Sequence, residues 1–270
     1  MVFWHRNLHR KKTGDEEMVS DFSEFKKIDM HSHVGVWGSP FHININEASL
    51  MEHMKEYNVE KTLLTGSSAE NNQDAYEVCQ KHPDQLIPIA WINCAKGQAA
   101  YDELEMRLKE QNFKGGKLQS LFDGYAVDSP VVDPVAEICE AHGVPLFVHS
   151  GHEPFALPWQ IGLLAERHPK LKICMLHMGH GHGIYVDAAL QMAKRYPNIW
   201  LETSGTSMSA QIYNAYKNVG KEKVMFGLDH PFHAPSVEIQ KILACPLEKQ
   251  DYERIFYENA KAFMGELLSD

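Results

Sequence analysis

Short apolar segments alternate with amphipathic segments along the chain from residue 26 onward. The apolar segments are about six to eight residues long, and their centres lie roughly 25 to 33 residues apart, which is the length of one strand–helix unit. Hydrophobic residues run almost continuously within them, as expected for parallel strands that are covered on both faces. In chain order the segments are KKIDMHSH, EKTLLTG, LIPIAWIN, GGKLQS, PLFVHSG, KICMLHMG, IWLETSG and KVMFGLDH.

The amphipathic segments carry apolar residues at helical spacing. Three of them end in a basic residue with a proline two positions later, which is typical of a helix C-terminus. The segments predict helices at residues 47–57, 74–81, 101–111, 131–142, 158–168, 186–195, 210–219 and 236–243, and a last helix at residues 249–267.

Eight strands that alternate with helices predict an α/β fold, a (β/α)8 TIM barrel with a C-terminal extra helix. An open, doubly wound sheet is the second choice. It would need a glycine-rich phosphate loop after the first strand, which HSHVGVWG does not supply. Residues 1–24 have clustered charges and little periodicity. We therefore predict a peripheral N-terminal arm at residues 1–24 and one barrel domain at residues 25–270.

The composition narrows the class of protein. The chain has 26 lysines and arginines against 36 aspartates and glutamates, and the net charge of −10 argues against binding to nucleic acid. No apolar run approaches the roughly 20 residues that span a bilayer. Five scattered cysteines without C-x-x-C spacing are typical of reduced thiols in a cytoplasmic protein. We expect a small-molecule substrate, no nucleic-acid or membrane partner, and an arm that could join subunits of a homo-oligomer.

Metal-ligand residues follow the ends of several predicted strands. His31 and His33 end the first strand, whereas His149, His177 and Asp229 end the fifth, sixth and eighth. The C-terminal ends of the strands form the active site in barrels of this kind, so these five side chains should converge. Two imidazoles one residue apart on the same face of a strand can share a metal ion.

Strict alternation along the first strand makes a further prediction. It turns Asp29 toward the interior of the barrel together with His31 and His33. It turns Ile28 and Met30 outward, toward the helices.

Five motifs resemble those of the amidohydrolase superfamily, and more closely those of its amidohydrolase-2 branch, which includes aminocarboxymuconate-semialdehyde decarboxylase. They are DMHSH at 29–33, GGKL at 115–118, FVHSG at 147–151, LHMG at 176–179 and FGLDHP at 226–231. The resemblance covers about residues 26–265. It implies that one divalent metal ion, most often zinc, is bound by His31, His33, His149 and Asp229, with His177 beside the metal-bound water.

Two positions depart from the pattern of that branch. Its strand-four motif often ends in Lys-Leu-His, and here Gln119 takes the place of the histidine. The turn after strand six usually reads His-x-Gly-Gly, and here it contains His180 and His182. Lys117 keeps three interpretations: a carboxylated bridge between two metals as in binuclear relatives, a charged partner of an aspartate, or a substrate contact. The predicted substrate-binding residues are Trp37, Lys117, Gln119, His152 and His180.

The leading functional hypothesis is a metal-dependent hydrolase. Imidazoles and a carboxylate suit Zn²⁺, which lowers the pKa of a bound water to about 7. Hydroxide would attack an amide, lactone or ester carbonyl, while Asp229 accepts a proton and His177 stabilises the developing charge. Aromatic residues on the loops that follow the strands predict a substrate that contains a ring. They are Trp37, Phe41, Phe122, Tyr125, Phe155, Tyr185 and Phe232.

Two alternatives remain open at this stage. The same metal site would support non-hydrolytic decarboxylation of an aromatic or muconate-like acid, as the resemblance implies. The barrel could also bind a metal without catalysing a reaction, since a fold does not fix a function. No arginine falls on a predicted catalytic loop, and arginine is the usual partner of a carboxylate. That pattern favours hydrolysis over decarboxylation.

Overall fold

Eight parallel strands form the ring of the computed structural model, which describes residues 21–269. Most of the predicted arm at residues 1–24 therefore lies outside the described residues. We number the barrel strands one to eight in chain order. They are Lys27–His33, Val59–Thr65, Leu86–Pro88 continued by Ala90–Trp91, Gly116–Leu118, Leu146–His149, Ile173–Leu176, Ile199–Glu202 and Val224–Met225.

Backbone hydrogen bonds close the ring. Strand three is interrupted at Ile89, where it passes from pairing with strand two to pairing with strand four. Strands eight and one meet where the Met30 amide donates to the Phe226 carbonyl at 3.1 Å and the Asp229 amide donates to the His31 carbonyl at 2.6 Å. The predicted (β/α)8 barrel is confirmed.

A helix follows each strand, within a few residues of its predicted position. The eight helices are Glu47–Glu56, Asn72–Lys81, Gln98–Glu110, Asp133–His142, Pro158–Arg167, Gly183–Arg195, Ser209–Asn218 and Pro235–Leu243. The sequence pattern did not predict the hairpin of Gly35–Trp37 with Ile43–Ile45, or the short helix Ser120–Asp123. Both follow the C-terminal end of a barrel strand, the first and the fourth.

The last helix packs against the opposite end of the barrel. It comprises Lys249–Glu253, a π-helical turn at Arg254–Glu258 and Asn259–Met264. The ring of Phe263 lies 5.0 Å from that of Trp200 and 6.2 Å from that of Phe147, centroid to centroid. Because this helix covers the N-terminal ends of the strands, a ligand has to enter from their C-terminal ends.

The first strand does not alternate strictly. Its pairing with strand two slips between Asp29 and Ser32, where three steps along strand one oppose two steps along strand two. Such a bulge reverses which face the later side chains occupy. Ile28 and Met30 consequently pack in the interior cluster that also contains Phe147, and the prediction that they face the helices is wrong. His31, within the slip, and His33, beyond it, still point into the mouth.

In the part of the chain that the structure describes, every helix is too short or too polar to cross a membrane. The five cysteines are buried as free thiols, in agreement with their scattered positions in the sequence.

Candidate metal centre

Strands one and eight bring three ligand-type side chains together. His31, His33 and Asp229 each offer an atom within 4.8 Å of the others, and we call these three residues the tripod. Asp229 Oδ1 lies 3.5 Å from His31 Nδ1 and 3.4 Å from His33 Nε2. All three residues are buried.

Buried hydrogen bonds hold the tripod in place. The carboxylate of Asp29 accepts from the His31 amide at 3.1 Å and from the Leu228 amide at 2.8 Å, so it joins the two strands that carry the tripod. His33 Nδ1 lies 3.0 Å from the Gly66 carbonyl. Because a carbonyl only accepts, Nδ1 carries the hydrogen and the lone pair of His33 Nε2 is free for a metal.

The side chain of Lys117 faces the two imidazoles of the tripod. Its Nζ lies 2.6 Å from His31 Nε2 and 3.1 Å from His33 Nε2. Burial lowers the pKa of Lys117 to about 7, although the negative charge of Asp229 acts in the opposite direction. Burial thus works against a charged Lys117, whereas the carboxylate of Asp229 attracts positive charge to this place, and a metal ion would supply that charge.

The protonation states of the tripod also suit a metal. Burial lowers the pKa of His31 and of His33 well below 6.5, and the charge of Lys117 adds to the effect. Neutral imidazoles are the form that binds metals. His31 Nδ1 is buried and has no hydrogen-bond partner among the described residues, so a ligand would compensate it. Two imidazoles and one carboxylate fit a divalent transition metal.

The other side of the mouth carries four histidines from strands five and six and their loops. We call His149, His152, His177 and His180 the histidine wall. His149 Nε2 lies 2.7 Å from His152 Nδ1, and the His149 ring is 4.7 Å from that of His177. The His177 ring is 5.0 Å from that of His31. The four predicted ligands are thus divided: three form the tripod, whereas His149 is turned toward His152.

The sequence pattern did not predict two ionisable side chains that lie at the metal centre, one carboxylate and one imidazole. Glu202, at the end of strand seven, is fully buried and shares a second group of ligand-type atoms with His31 and His177. It was visible as the acidic residue that ends the apolar segment IWLE. His233, on the loop after strand eight, was not among the predicted site residues, but its Nε2 lies 3.6 Å from Asp229 Oδ2.

Aromatic side chains cover the tripod from the side of the unpredicted hairpin. The ring of Trp37 lies 5.2 Å from that of His33 and 4.9 Å from that of Phe232. Trp91 and Phe122 adjoin Trp37, with ring centroids 5.9 and 6.2 Å away. We call Trp37, Trp91, Phe122 and Phe232 the aromatic wall.

Of the other residues that were predicted at the mouth, Gln119 and Phe41 lie at the site, whereas Tyr185 and Tyr125 make contacts elsewhere. Gln119 is buried, and its Oε1 has no hydrogen-bond partner in the described part of the chain. Phe41 joins the outer edge of the aromatic wall, 5.2 Å from Phe232 between ring centroids. Tyr185 instead packs against Trp159, at 6.1 Å between centroids, and Tyr125 is buried with its hydroxyl directed to the Ile92 carbonyl.

A sequence profile of the amidohydrolase family (Amidohydro_2) matches residues 42–265, which is well over half of the chain. The match includes the segments that carry His149, His177 and Asp229. It begins after the H-x-H of the first strand.

The similar curated proteins carry decarboxylase names. The chain is 23% identical over 198 residues to 2-amino-3-carboxymuconate-6-semialdehyde decarboxylase of Dictyostelium discoideum, a match that covers 60% of this chain and 55% of that protein. It is 24% identical over 254 residues to decarboxylase orsB of Emericella nidulans, a match that covers 73% of this chain and 76% of that protein. It is 24% identical over 210 residues to gamma-resorcylate decarboxylase of a Rhizobium species, a match that covers 58% of this chain and 63% of that protein. The chain thus spans roughly half to three quarters of these relatives.

Solved structures share the fold. One is 2,6-dihydroxybenzoate decarboxylase from Rhizobium, with a TM-score of 0.69, 18% identity and coverage of 89% of this chain and 98% of that one. Another is 5-carboxyvanillate decarboxylase from Novosphingobium aromaticivorans with manganese. Its TM-score is 0.71 and its sequence identity 16%, and the match covers 94% of this chain and 98% of that one. A third is dihydroxybenzoic acid decarboxylase from Polaromonas with manganese and 2-nitroresorcinol. Its TM-score is 0.70 and its sequence identity 17%, and the match covers 90% of this chain and 97% of that one. These likenesses agree with the (β/α)8 barrel.

The prediction of hydrolysis as the main activity is wrong, because the similar proteins are named decarboxylases. The sequence argument relied on the absence of arginine from the predicted loops. That absence does not exclude a carboxylate substrate, since Lys117 and a bound metal ion would supply positive charge. The length of the profile match shows the family directly: the chain belongs to the amidohydrolase family.

Proposed function

We propose that this chain is a metal-dependent, non-oxidative decarboxylase of a small aromatic carboxylic acid. The observation that carries the proposal is the tripod, which lies directly beside the aromatic wall: the rings of His33 and Trp37 are 5.2 Å apart. The decarboxylase names of the similar proteins support the reaction class. The aromatic wall supports a flat ring as the substrate.

The tripod residues His31, His33 and Asp229 would hold the metal, and His149 stays our predicted fourth ligand. A bound divalent ion would supply an electrophile for the oxygen atoms of the substrate. Zn²⁺ remains our prediction from the donor set. Mn²⁺ is the ion in the similar structures, so both ions belong in the test.

Decarboxylation breaks the bond between the ring carbon and the carboxylate carbon. The electron pair stays on the ring carbon, CO2 leaves, and the ring carbon takes up one proton. We assign the delivery of that proton to Asp229, whose carboxylate lies at the centre of the site, within 3.6 Å of nitrogens of His31, His33 and His233. His177 would hold an oxygen substituent of the ring and so orient the ring carbon toward Asp229.

The substrate ring would lie against Trp37, with polar contacts from Lys117, Gln119, His152 and His180. Among residues 21–269 no arginine is part of the tripod, the histidine wall or the aromatic wall, and a site without a bidentate arginine suits this reaction. An enzyme gains rate only from interactions that are stronger in the transition state than in the ground state. A tightly held carboxylate would resist conversion to neutral CO2, and the imidazoles of the histidine wall hold it less tightly than a guanidinium would.

The test is product analysis of the full chain loaded separately with Mn²⁺ and Zn²⁺. The substrates are 2,6-dihydroxybenzoate and 5-carboxyvanillate. We expect one CO2 for each molecule of decarboxylated arene, and no turnover by Asp229→Asn. Glu105→Gln, far from the mouth on a helix, is the control and should retain full activity. Absence of CO2 from both acids, with metal bound, would refute the proposal.

A further inference from the structure

The loop after strand seven surrounds the imidazole and backbone of His177. The carboxylate of Glu202 accepts from the His177 amide at 3.1 Å and from the Ser204 hydroxyl at 2.7 Å. It also accepts from the Ser204 amide. The Thr206 hydroxyl donates to the His177 carbonyl at 2.7 Å. His177 is thus held on both its backbone amide and its carbonyl by one loop.

We propose that Glu202 and Ser204 are positioning residues that hold His177 in one tautomer, with the hydrogen on Nδ1 and the lone pair of Nε2 directed into the mouth. The consequence for catalysis rests on the proposed function, whereas the tautomer does not.

The direction of the hydrogen bonds supports this assignment. A carboxylate can only accept, so the Ser204 hydroxyl gives its hydrogen to Glu202. The hydroxyl oxygen, 3.0 Å from His177 Nδ1, is then left to accept. The Ser204 carbonyl oxygen, 3.2 Å from the same nitrogen, also only accepts. Both contacts therefore require a hydrogen on Nδ1.

The backbone explains why the loop needs a carboxylate at this position. His177 and Met178 have φ of 67° and 47°, in the left-handed region that non-glycine residues rarely adopt. The bond from the His177 amide to Glu202 holds that conformation. Gly227, two residues beyond strand eight, leaves the space for the carboxylate, because a Cβ there would collide with Glu202.

The tautomer assigns His177 a specific chemistry. With its lone pair on Nε2, the neutral side chain accepts a hydrogen bond, and it has no hydrogen on that nitrogen to donate. Under the proposed function it would accept the hydrogen of a ring hydroxyl on the substrate. Glu202 itself serves as an anchor, since both of its oxygens already accept from the loop.

The first experiment is ¹⁵N NMR of the metal-free protein labelled at histidine, with the His177 signal identified by its loss in His177→Asn. We expect the Nδ1–H pattern in the wild type. We expect a shift toward Nε2–H in Glu202→Gln, whose amide places a donor against the amides of the loop. We expect a smaller shift in Ser204→Ala, which keeps the Ser204 carbonyl as an acceptor for Nδ1. Glu60→Gln, at the start of strand two, should keep the wild-type pattern. An Nε2–H wild type, or an unchanged pattern in Glu202→Gln and Ser204→Ala, would overturn the proposal.

The second experiment is a double-mutant cycle on decarboxylation of 2,6-dihydroxybenzoate. We expect Glu202→Gln to lower kcat about 10- to 100-fold, the range typical for a residue that orients a site group, with KM within about threefold. In the His177→Asn background the same substitution should cost nothing further, since it acts through His177. Independent, multiplying losses would overturn the positioning role. If the wild type releases no CO2, the proposed function fails, and the NMR result still decides the tautomer.

Discussion

The tripod and the histidine wall are built differently, although both are made mainly of histidines. The tripod stands on strands one and eight, fixed by the bulge at Asp29–Ser32 and by a buried carboxylate that joins the two strands. In the wall, His152 and His180 stand on loops, and His149 pairs with His152. The ligand geometry of the tripod therefore comes from strand register, whereas the histidine wall is oriented by contacts from neighbouring loops.

Loss of a tripod residue should lower metal affinity and turnover more than any other single change. His33→Ala should lower metal affinity by more than about 100-fold, because the loss of even an outer partner costs about 10- to 100-fold. Turnover should fall by at least about 1,000-fold with it. Metal analysis after dialysis, together with CO2 release, measures both. Normal metal content in His33→Ala would remove the distinction between the two regions.

Removal of the metal should destabilise the wild type. An ion present at 100 times its Kd adds about 2.7 kcal/mol to the free energy of unfolding. For a chain of this size that corresponds to a Tm lower by about 5 to 10 °C after chelation. His152→Gln should show the same difference and His33→Ala none. Equal differences in the two variants would indicate that His152 contributes to ion binding as much as His33 does.

Trp37→Ala should act mainly on substrate binding. The indole adjoins the tripod without offering it a metal ligand, and aromatic contacts contribute about 0.5–1.5 kcal/mol. We expect KM to rise up to about tenfold, with kcat within about threefold and an unchanged metal content. A loss confined to kcat would show that Trp37 takes part in the chemical step.

The smallest expected effect belongs to His152→Gln. Glutamine keeps a polar side chain opposite His149, and His152 is not part of the tripod, so kcat/KM should change by about three- to tenfold with metal retained. Steady-state kinetics on 2,6-dihydroxybenzoate measures it. A loss as large as that of His33→Ala would place His152 among the metal ligands.

The barrel was predictable because each strand–helix unit carries its own periodicity. The convergence of His31, His33 and Asp229 was predictable from their places at strand ends. The outward orientation of Ile28 and Met30 was wrong because it assumed perfect alternation, and a bulge leaves no clear mark in the apolar pattern.

The turn of His149 toward His152 and the role of the strand-seven loop could not be predicted. Both depend on contacts between side chains on different loops, whose conformations include left-handed residues such as His177. The choice between hydrolysis and decarboxylation failed for another reason. A single set of metal ligands serves both reactions, so the ligands alone do not select one.

The metal site can be located directly by anomalous diffraction from crystals of the manganese-loaded protein, measured above and below the manganese absorption edge. We expect one ion per chain, in contact with His31, His33 and Asp229. An ion bound between His149 and His152, with those three side chains uncoordinated, would contradict it.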